Sequence, residues 1–361
     1  MKTLYCYEMK KILCQKILWI AVILMTLVLL TVGLTDVIVG RAANSKSCTQ
    51  FSGRTIDNSL ITETQEAENK NEYIVFRNFI NFCMGTTDYG TVNEEQVYTA
   101  REAMNERQMN IACLSDEEKA YWMEKEASVK KPFTYQYEEG FAGIFVSVYI
   151  ANFMLLILTA IAISGIYSDE KIHGTDQIIF SSVNREKMFG AKAFAGISVG
   201  MLLALYLFAI ASGCSFGIYG ISGFQAPLQI RVPGCMLNIT IGEAYLYMFM
   251  LFMMAGIVYA AFAMFLSQML GSRSAATAIM VIGLFLSMLN VPERLGVLSL
   301  LWSYLPGAYI GSWTFTEYRL IHILGRFFNN LQVAPVLWLI ASAAFLMITK
   351  ISYRHYQVRG R

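Results

Sequence analysis

Charge is scarce in this sequence: Asp, Glu, Lys and Arg supply 15% of its 361 residues, against about a quarter in an ordinary soluble domain. Apolar residues supply 56%, which excludes a disordered chain. Six prolines and seven cysteines in so long a chain exclude a collagen-like repeat and a disulfide scaffold. The three histidines, His173, His322 and His355, are scattered without cysteine or carboxylate arrays at ligand spacing, so no metal site is expected. A Gly-x-x-x-x-Gly-Lys-Ser/Thr phosphate loop is missing, so the chain is not expected to be an enzyme on its own. The net charge of +2 gives no argument for nucleic acid.

What is present in abundance is apolar run length. A bilayer core of about 30 Å takes about 20 helical residues, and six charge-poor segments approach or exceed it: 17–39, 141–167, 193–219, 244–270, 274–291 and 331–349. The expected fold class is therefore an all-α polytopic membrane protein with six transmembrane helices. Residues 1–16 carry Tyr5, Met9, Ile12 and Leu13 at helical spacing with lysines on the other side, the pattern of an amphipathic interfacial helix. An ion-driven carrier needs ionisable side chains at membrane depth. These runs hold none, apart from Asp36 at the end of the first, which reads as interfacial.

Orientation follows from the basic residues of the short connections. With the amino terminus inside, the inner segments hold Lys2, Lys10, Lys11, Lys16, Lys171, Arg185, Lys187, Lys192, Arg273, Lys350, Arg354, Arg359 and Arg361, and the short outer ones only Arg231, Arg294, Arg319 and Arg326. Both termini, including the tail 350–361, are thus expected in the cytoplasm of a plasma-membrane protein. Residues 40–140 then form one large extracellular domain, acidic by six charges over 41–140 (11 basic, 17 acidic). It is read as mostly helical: Tyr73, Phe76, Ile80 and Cys83 recur at helical spacing, and Ser115 followed by Glu118 forms a capping box opening a helix toward Lys130. Cys48, Cys83 and Cys113 lie in it, either as a disulfide pair with one thiol left over or as small buried apolar residues. Cys214 and Cys235 bracket the next outer connection. The stretch 292–330 is apolar but broken by Pro292, Gly296, Pro306, Gly307 and Gly311, which reads as an outer re-entrant element.

The inner connection 168–192 is short and densely charged. Its order, Glu170, Gly174-Thr175, an apolar stretch ending in Ser181-Ser182, then Arg185 and a Lys192 entering the next helix, resembles the permeases of type 2 ATP-binding-cassette (ABC) transporters of the bacterial exporter kind. The layout of interfacial helix, six spans and outer segment between spans five and six is similar as well. The resemblance implies that 168–192 is a coupling loop docking into a separate ABC ATP-binding subunit. Glu170, His173, Gly174, Thr175, Arg185, Lys187 and Lys192 would be the coupling residues, and Gly174, lacking a Cβ, would permit a tight bend. Two copies of that subunit would hold ATP and Mg, and two permeases, identical or related, would pair in the membrane. The resemblance also implies a cargo path between the permease halves, with Asn152, Phe153, Thr159, Met280, Phe285 and Asn290 as candidate lining.

The leading expectation is a permease subunit exporting an amphiphilic peptide, antibiotic or lipid-like cargo, in a role such as antimicrobial-peptide resistance. The alternative is a membrane-anchored sensor or signalling protein whose extracellular domain binds a ligand. Only the first requires an ATP-binding partner.

Overall fold

The computed structural model describes residues 2–67, 70–87, 90–175, 185–289, 291–292 and 295–355. An amphipathic helix α1 (Lys2–Leu13) precedes α2 (Lys16–Ile38), the first of the long apolar helices. A polar domain follows, built from α3 (Arg41–Lys46), α4 (Asn58–Glu66), α5 (Ile74–Met84), α6 (Glu94–Ile111) and α7 (Asp116–Ala127). The chain then enters α8 (Glu139–Ile163), bends through residues 164–167 into the short α9 (Ser168–His173), and resumes as α10 (Arg185–Tyr219). Helices α11 (Ile241–Leu270) and α12 (Arg273–Ser287) come next. The segment after them holds α13 (Val297–Ser303), α14 (Pro306–Tyr309) and a two-stranded hairpin of β1 (Ile321–Ile323) and β2 (Arg326–Phe328), with Ile321 opposite Phe328, before α15 (Asn330–His355).

Helices α8, α10 and α11 form the centre of the bundle, and α2, α12 and α15 pack around them. Burial follows that position. In the most apolar window of α8 and of α11, 61% of residues are buried, against 17% in α2 and α15. Ile20, Ile23, Leu24 and Leu27 on α2, and Val336, Leu339 and Ile340 on α15, are exposed. Apolar residues facing outward on peripheral helices are costly in water and favourable in lipid. Central packing requires close backbone approach: a Cβ on Gly200 of α10 would stand 2.5 Å from the Gly256 carbonyl of α11, and one on Gly256 2.7 Å from that of Gly200. With Gly196 one turn earlier, this is the small-residue spacing by which membrane helices pack in van der Waals contact.

Among the described residues, five helices are long and apolar enough to cross a bilayer, where six spans were expected. The fifth expected span, 274–291, is the 15-residue α12, about 22 Å long. It ends ahead of Pro292, which cannot donate the next helical hydrogen bond, and α14 packs back against it. The expected broken outer segment accordingly contains short helices and a hairpin. The third span extends further than expected, so that 185–192 forms the first two turns of α10, whereas the second, α8, starts at Glu139 and ends at Ile163.

The polar domain buries an aromatic core of its own. Phe76 meets Phe51 and Tyr135 edge-on, and Phe133 meets Phe79 and Tyr98. The repeat at Tyr73, Phe76, Ile80 and Cys83 belongs to α5, with Tyr73 at its N-cap, and Ser115 and Glu118 make the expected capping box of α7, which ends at Ala127. The domain is fastened to the bundle's connections. Fully buried Arg101 donates to the carbonyls of Pro233 (2.7 Å) and Cys235 (2.8 Å) and pairs with Glu126. The Trp122 indole donates to the Tyr318 carbonyl at 2.7 Å, and the Tyr318 hydroxyl to that of Gly234 at 2.5 Å.

All seven cysteines are free: of the two readings left open for Cys48, Cys83 and Cys113 the structure holds no disulfide, and Cys214 is not bonded to Cys235. Cys48 and Cys83 are buried in the domain core and Cys113 is exposed. Burial pushes the thiols of Cys48 and Cys83 up, to about 11 and about 12, where little thiolate exists to react.

Candidate functional site

The end of the bundle opposite the polar domain gathers α1, the α8–α9 bend, the start of α10, and the last turns of α11 and α15. Charge is concentrated here. Lys192 lies on the second turn of α10 with no exposed surface. Its ammonium stands 2.5 Å from Glu170 Oε1 on α9 and 3.3 Å from Glu8 Oε1 on α1, and donates to the Ile166 carbonyl at 2.9 Å. The same ammonium sits 5.6 Å from the centroid of the Tyr167 ring. Lys11 reaches Glu170 from α1 at 3.0 Å. Burial lowers the Lys11 pKa, but the carboxylates of Glu170 and Glu8 outweigh it and raise the value, so Lys11 is held charged. Buried charges persist when paired, and this cluster pairs two carboxylates with two ammonium groups while joining three separate elements: both lysines hydrogen-bond Glu170, and Glu8 is held by its ion pair with Lys192 alone.

Further contacts fix the bend. Ser267 Oγ on α11 accepts from the amides of Tyr167 (3.1 Å) and Ser168 (3.2 Å), capping backbone donors that the break in the helix leaves over. Lys171 donates to the Gln268 carbonyl at 2.7 Å. Arg273, opening α12, donates to the Ile161 carbonyl at 2.7 Å and to Gln15 Oε1 at 2.6 Å, and lies 3.7 Å from Asp169. Gly174 ends α9 in the left-handed conformation at φ +67°, and the Thr175 amide closes the turn on the Glu170 carbonyl at 3.1 Å. That conformation strains any residue with a Cβ, so the tight bend expected at Gly174 is present. Arg185 donates to the Arg354 carbonyl at 3.1 Å, and Arg354 pairs with Glu186 at 3.5 Å, so α15 ends beside the start of α10.

The expected coupling residues therefore divide in two. Glu170 and Lys192 face inward and spend their charge on each other and on α1, whereas His173 and Gly174 are exposed. Arg185 and Lys187 stand at the start of α10. Ser181, Ser182 and Asn290 lie outside the described residues. Sequence reading missed Glu8 altogether. Its signal was an acidic residue on a helix otherwise basic and apolar, at a position that shares the face of Tyr5 and Ile12.

The candidate path residues are not brought together. Asn152, Thr159 and Met280 are fully or almost fully buried in the bundle core. Asn152 donates to the Pro306 carbonyl at 2.8 Å and accepts from the Tyr259 hydroxyl at 3.1 Å, and Thr159 donates to its own helix at Leu155. Phe153 packs on Tyr149, and Phe285 is exposed. Three of the six are thus core in this conformation. Gly196-Ile197-Ser198-Val199-Gly200 spells the Gly-x-Ser-x-Gly of a hydrolase elbow. It lies within continuous helix, with Ser198 accepting from the Tyr5 hydroxyl at 3.1 Å, and lacks the strand-to-helix turn that exposes a nucleophile.

Long apolar helices, outward-facing apolar surface and a buried charge cluster at one end define an all-α polytopic membrane protein. The chain belongs to the ABC-2 family of transporter proteins, whose family model matches residues 86–349. No curated protein and no solved structure matches it at a significant level. The match runs from the second half of the polar domain to α15 and leaves α1 to α5 outside. Membership makes the chain a transport permease, a membrane subunit without an ATPase domain of its own that works with an ABC ATP-binding partner.

Proposed function

We propose that this permease is the membrane subunit of an ATP-driven exporter, coupled to its ATP-binding subunits through residues 168–192. Two such subunits hold ATP and Mg, and two permeases, identical or related, enclose the path of an amphiphilic peptide, antibiotic or lipid-like cargo. The polar domain faces outward and both termini face the cytoplasm, in keeping with the basic residues of the inner segments.

The observation that supports this most is the Lys192 cluster. A force applied between Gly174 and Arg185 meets elements already joined: α9 through Glu170, α10 through Lys192 and α1 through Glu8 and Lys11. Two short helices and the root of a 35-residue helix then move as one body, which is how a push from a soluble subunit can tilt a span instead of bending a loop. The exposed Gly174 turn offers backbone for docking while the buried charges keep the lever stiff.

The test is mass spectrometry of the tagged protein purified gently from its native cell, comparing wild type with a variant carrying Gly174→Trp and Arg185→Glu. Co-purification of an ATP-binding subunit with wild type and its loss from a variant of unchanged melting temperature is the expected result. An ATP-binding subunit retained in full by the variant overturns the docking segment. Its absence from wild type across several mild detergents overturns the exporter and favours a ligand sensor.

A further inference from the structure

At the opposite end, where α2 and α10 finish and α8 begins, two clefts of about 350 and about 710 Å³ share Val39, Arg41, Glu139 and Arg231 and so form one groove. The smaller part is a recess between the three helices, floored by Val32, Gly33, Val146 and Ile218. Small residues open it, since a Cβ on Gly33 would already touch Cys214 and Ile218 at 3.4 Å. The larger part rises against the polar domain, whose Asn44 and Asn78 line it with Phe79 and Phe82. Apolar surface below and hydrogen-bonding surface above meet at the two arginines.

Two ion pairs stand at that level, Arg41 with Asp36 at 3.0 Å and Arg231 with Glu139 at 4.0 Å. In each the carboxylate is the recessed member: the Asp36 and Glu139 side chains are 24% and 16% exposed, those of Arg41 and Arg231 71% and 38%. An incoming head group therefore meets guanidinium first. The Arg231 contact, at the limit of an ion pair, leaves donors to spare, and guanidinium matches phosphate oxygens in a bidentate fork. The groove opens at the boundary between the polar domain and the apolar helices, where a lipid head group lies.

We infer that this groove binds an anionic phospholipid of the adjoining leaflet, its phosphate held by Arg41 and Arg231 and one chain lying in the recess over Gly33. The source is the bilayer itself, so the site is filled whether or not cargo is being moved.

The experiment measures lipid retained by the full-length protein after detergent purification from membranes of equal phosphatidylglycerol and phosphatidylcholine content. Wild type is expected to retain phosphatidylglycerol in excess. The variant Arg41→Ala/Arg231→Ala should lose that excess, by on the order of fivefold per arginine. Gly33→Phe, which fills the recess without touching either arginine, should lower retention of both lipids, and Arg326→Ala, an exposed arginine on the hairpin, should change nothing. Equal retention of the two lipids by wild type, or a loss in the Arg326 control as large as in the double variant, overturns the site. Because the readout is bound lipid, failure here leaves the capture of an ATP-binding subunit unaffected, and the reverse.

Discussion

Replacing Lys192 by methionine keeps the length of the side chain and removes its charge. Two carboxylates then remain in the cluster: Glu170, still held by Lys11 at 3.0 Å, and Glu8, whose oxygens have no hydrogen-bond partner and whose nearest cation was Lys192 at 3.3 Å. Removing one member of a buried pair costs roughly 3–5 kcal/mol, because an uncompensated charge stays behind. Unfolding entropy of about 2.1 cal/mol/K per residue gives about 0.76 kcal/mol/K for the whole chain, so the melting temperature should fall by about 4–7 °C. The assay is thermal unfolding of the purified permease in detergent, repeated in nanodiscs. The decisive comparison is the triple variant Glu8→Gln/Glu170→Gln/Lys192→Met, in which no fully buried charge is stranded, since the freed Lys11 is 33% exposed, and most of the loss should return. A Lys192→Met protein as stable as wild type, or a triple variant no more stable than the single one, would refute the account of the cluster as a paired, buried lock.

At the opposite end, Glu138 is buried with neither carboxylate oxygen partnered, and burial pushes its pKa up to about 7 from 4.5, with Arg231 opposing and Glu139 assisting. A raised carboxyl pKa favours the protonated folded state, so its cost is absent below pH 4.5, grows from pH 4.5 to 7 and is constant above, on the order of 3 kcal/mol in all. Glu138→Gln should therefore stabilise the protein at pH 8 and leave it unchanged at pH 4, and equal melting shifts at the two pH values would contradict this. Gly200→Leu should force α10 and α11 apart, costing more than about 3 kcal/mol, and a melting temperature within 1 °C of wild type would disprove the close crossing. Arg101→Leu should leave the Pro233 and Cys235 carbonyls unpaired and Glu126 with Lys131 alone; hydrogen exchange should rise in 94–127 and 231–237 together, and a rise confined to one segment would refute the clamp.

The long helices were legible because lipid imposes one simple demand, some twenty residues without charge, and the polar domain because its composition breaks that demand. The end of the fifth expected span was not legible because composition cannot see where a helix stops: 274–291 is free of charge throughout, but the helix ends at Ser287. The inner connection was legible in its glycine and illegible in its charges. Gly174 has a local role, a positive φ, that a single residue type announces. Glu170 and Lys192 read as contacts to a partner subunit because they stand among charged neighbours, and Glu8, which also pairs with Lys192, lies more than 150 residues away in sequence. Path residues are illegible for a related reason: polar and aromatic side chains within an apolar helix satisfy core hydrogen bonds as readily as they line a channel, as Asn152 does between Pro306 and Tyr259.

The two ends of the bundle treat buried charge in opposite ways, and that difference bears on how a permease works. Where force is expected to enter, every charge of the central cluster has an opposite number within 3.3 Å and the elements carrying them are joined. Such a body transmits displacement with little internal loss, since interfaces packed this way switch between arrangements instead of deforming. Toward the polar domain the buried Glu138 has no partner, Arg231 holds Glu139 only at 4.0 Å, and Arg41 is largely exposed. Contacts there are worth less and are more easily exchanged for others. A machine driven from one end needs that asymmetry: a rigid foot to take up the motion, and a loosely paired rim where the same motion can open and close.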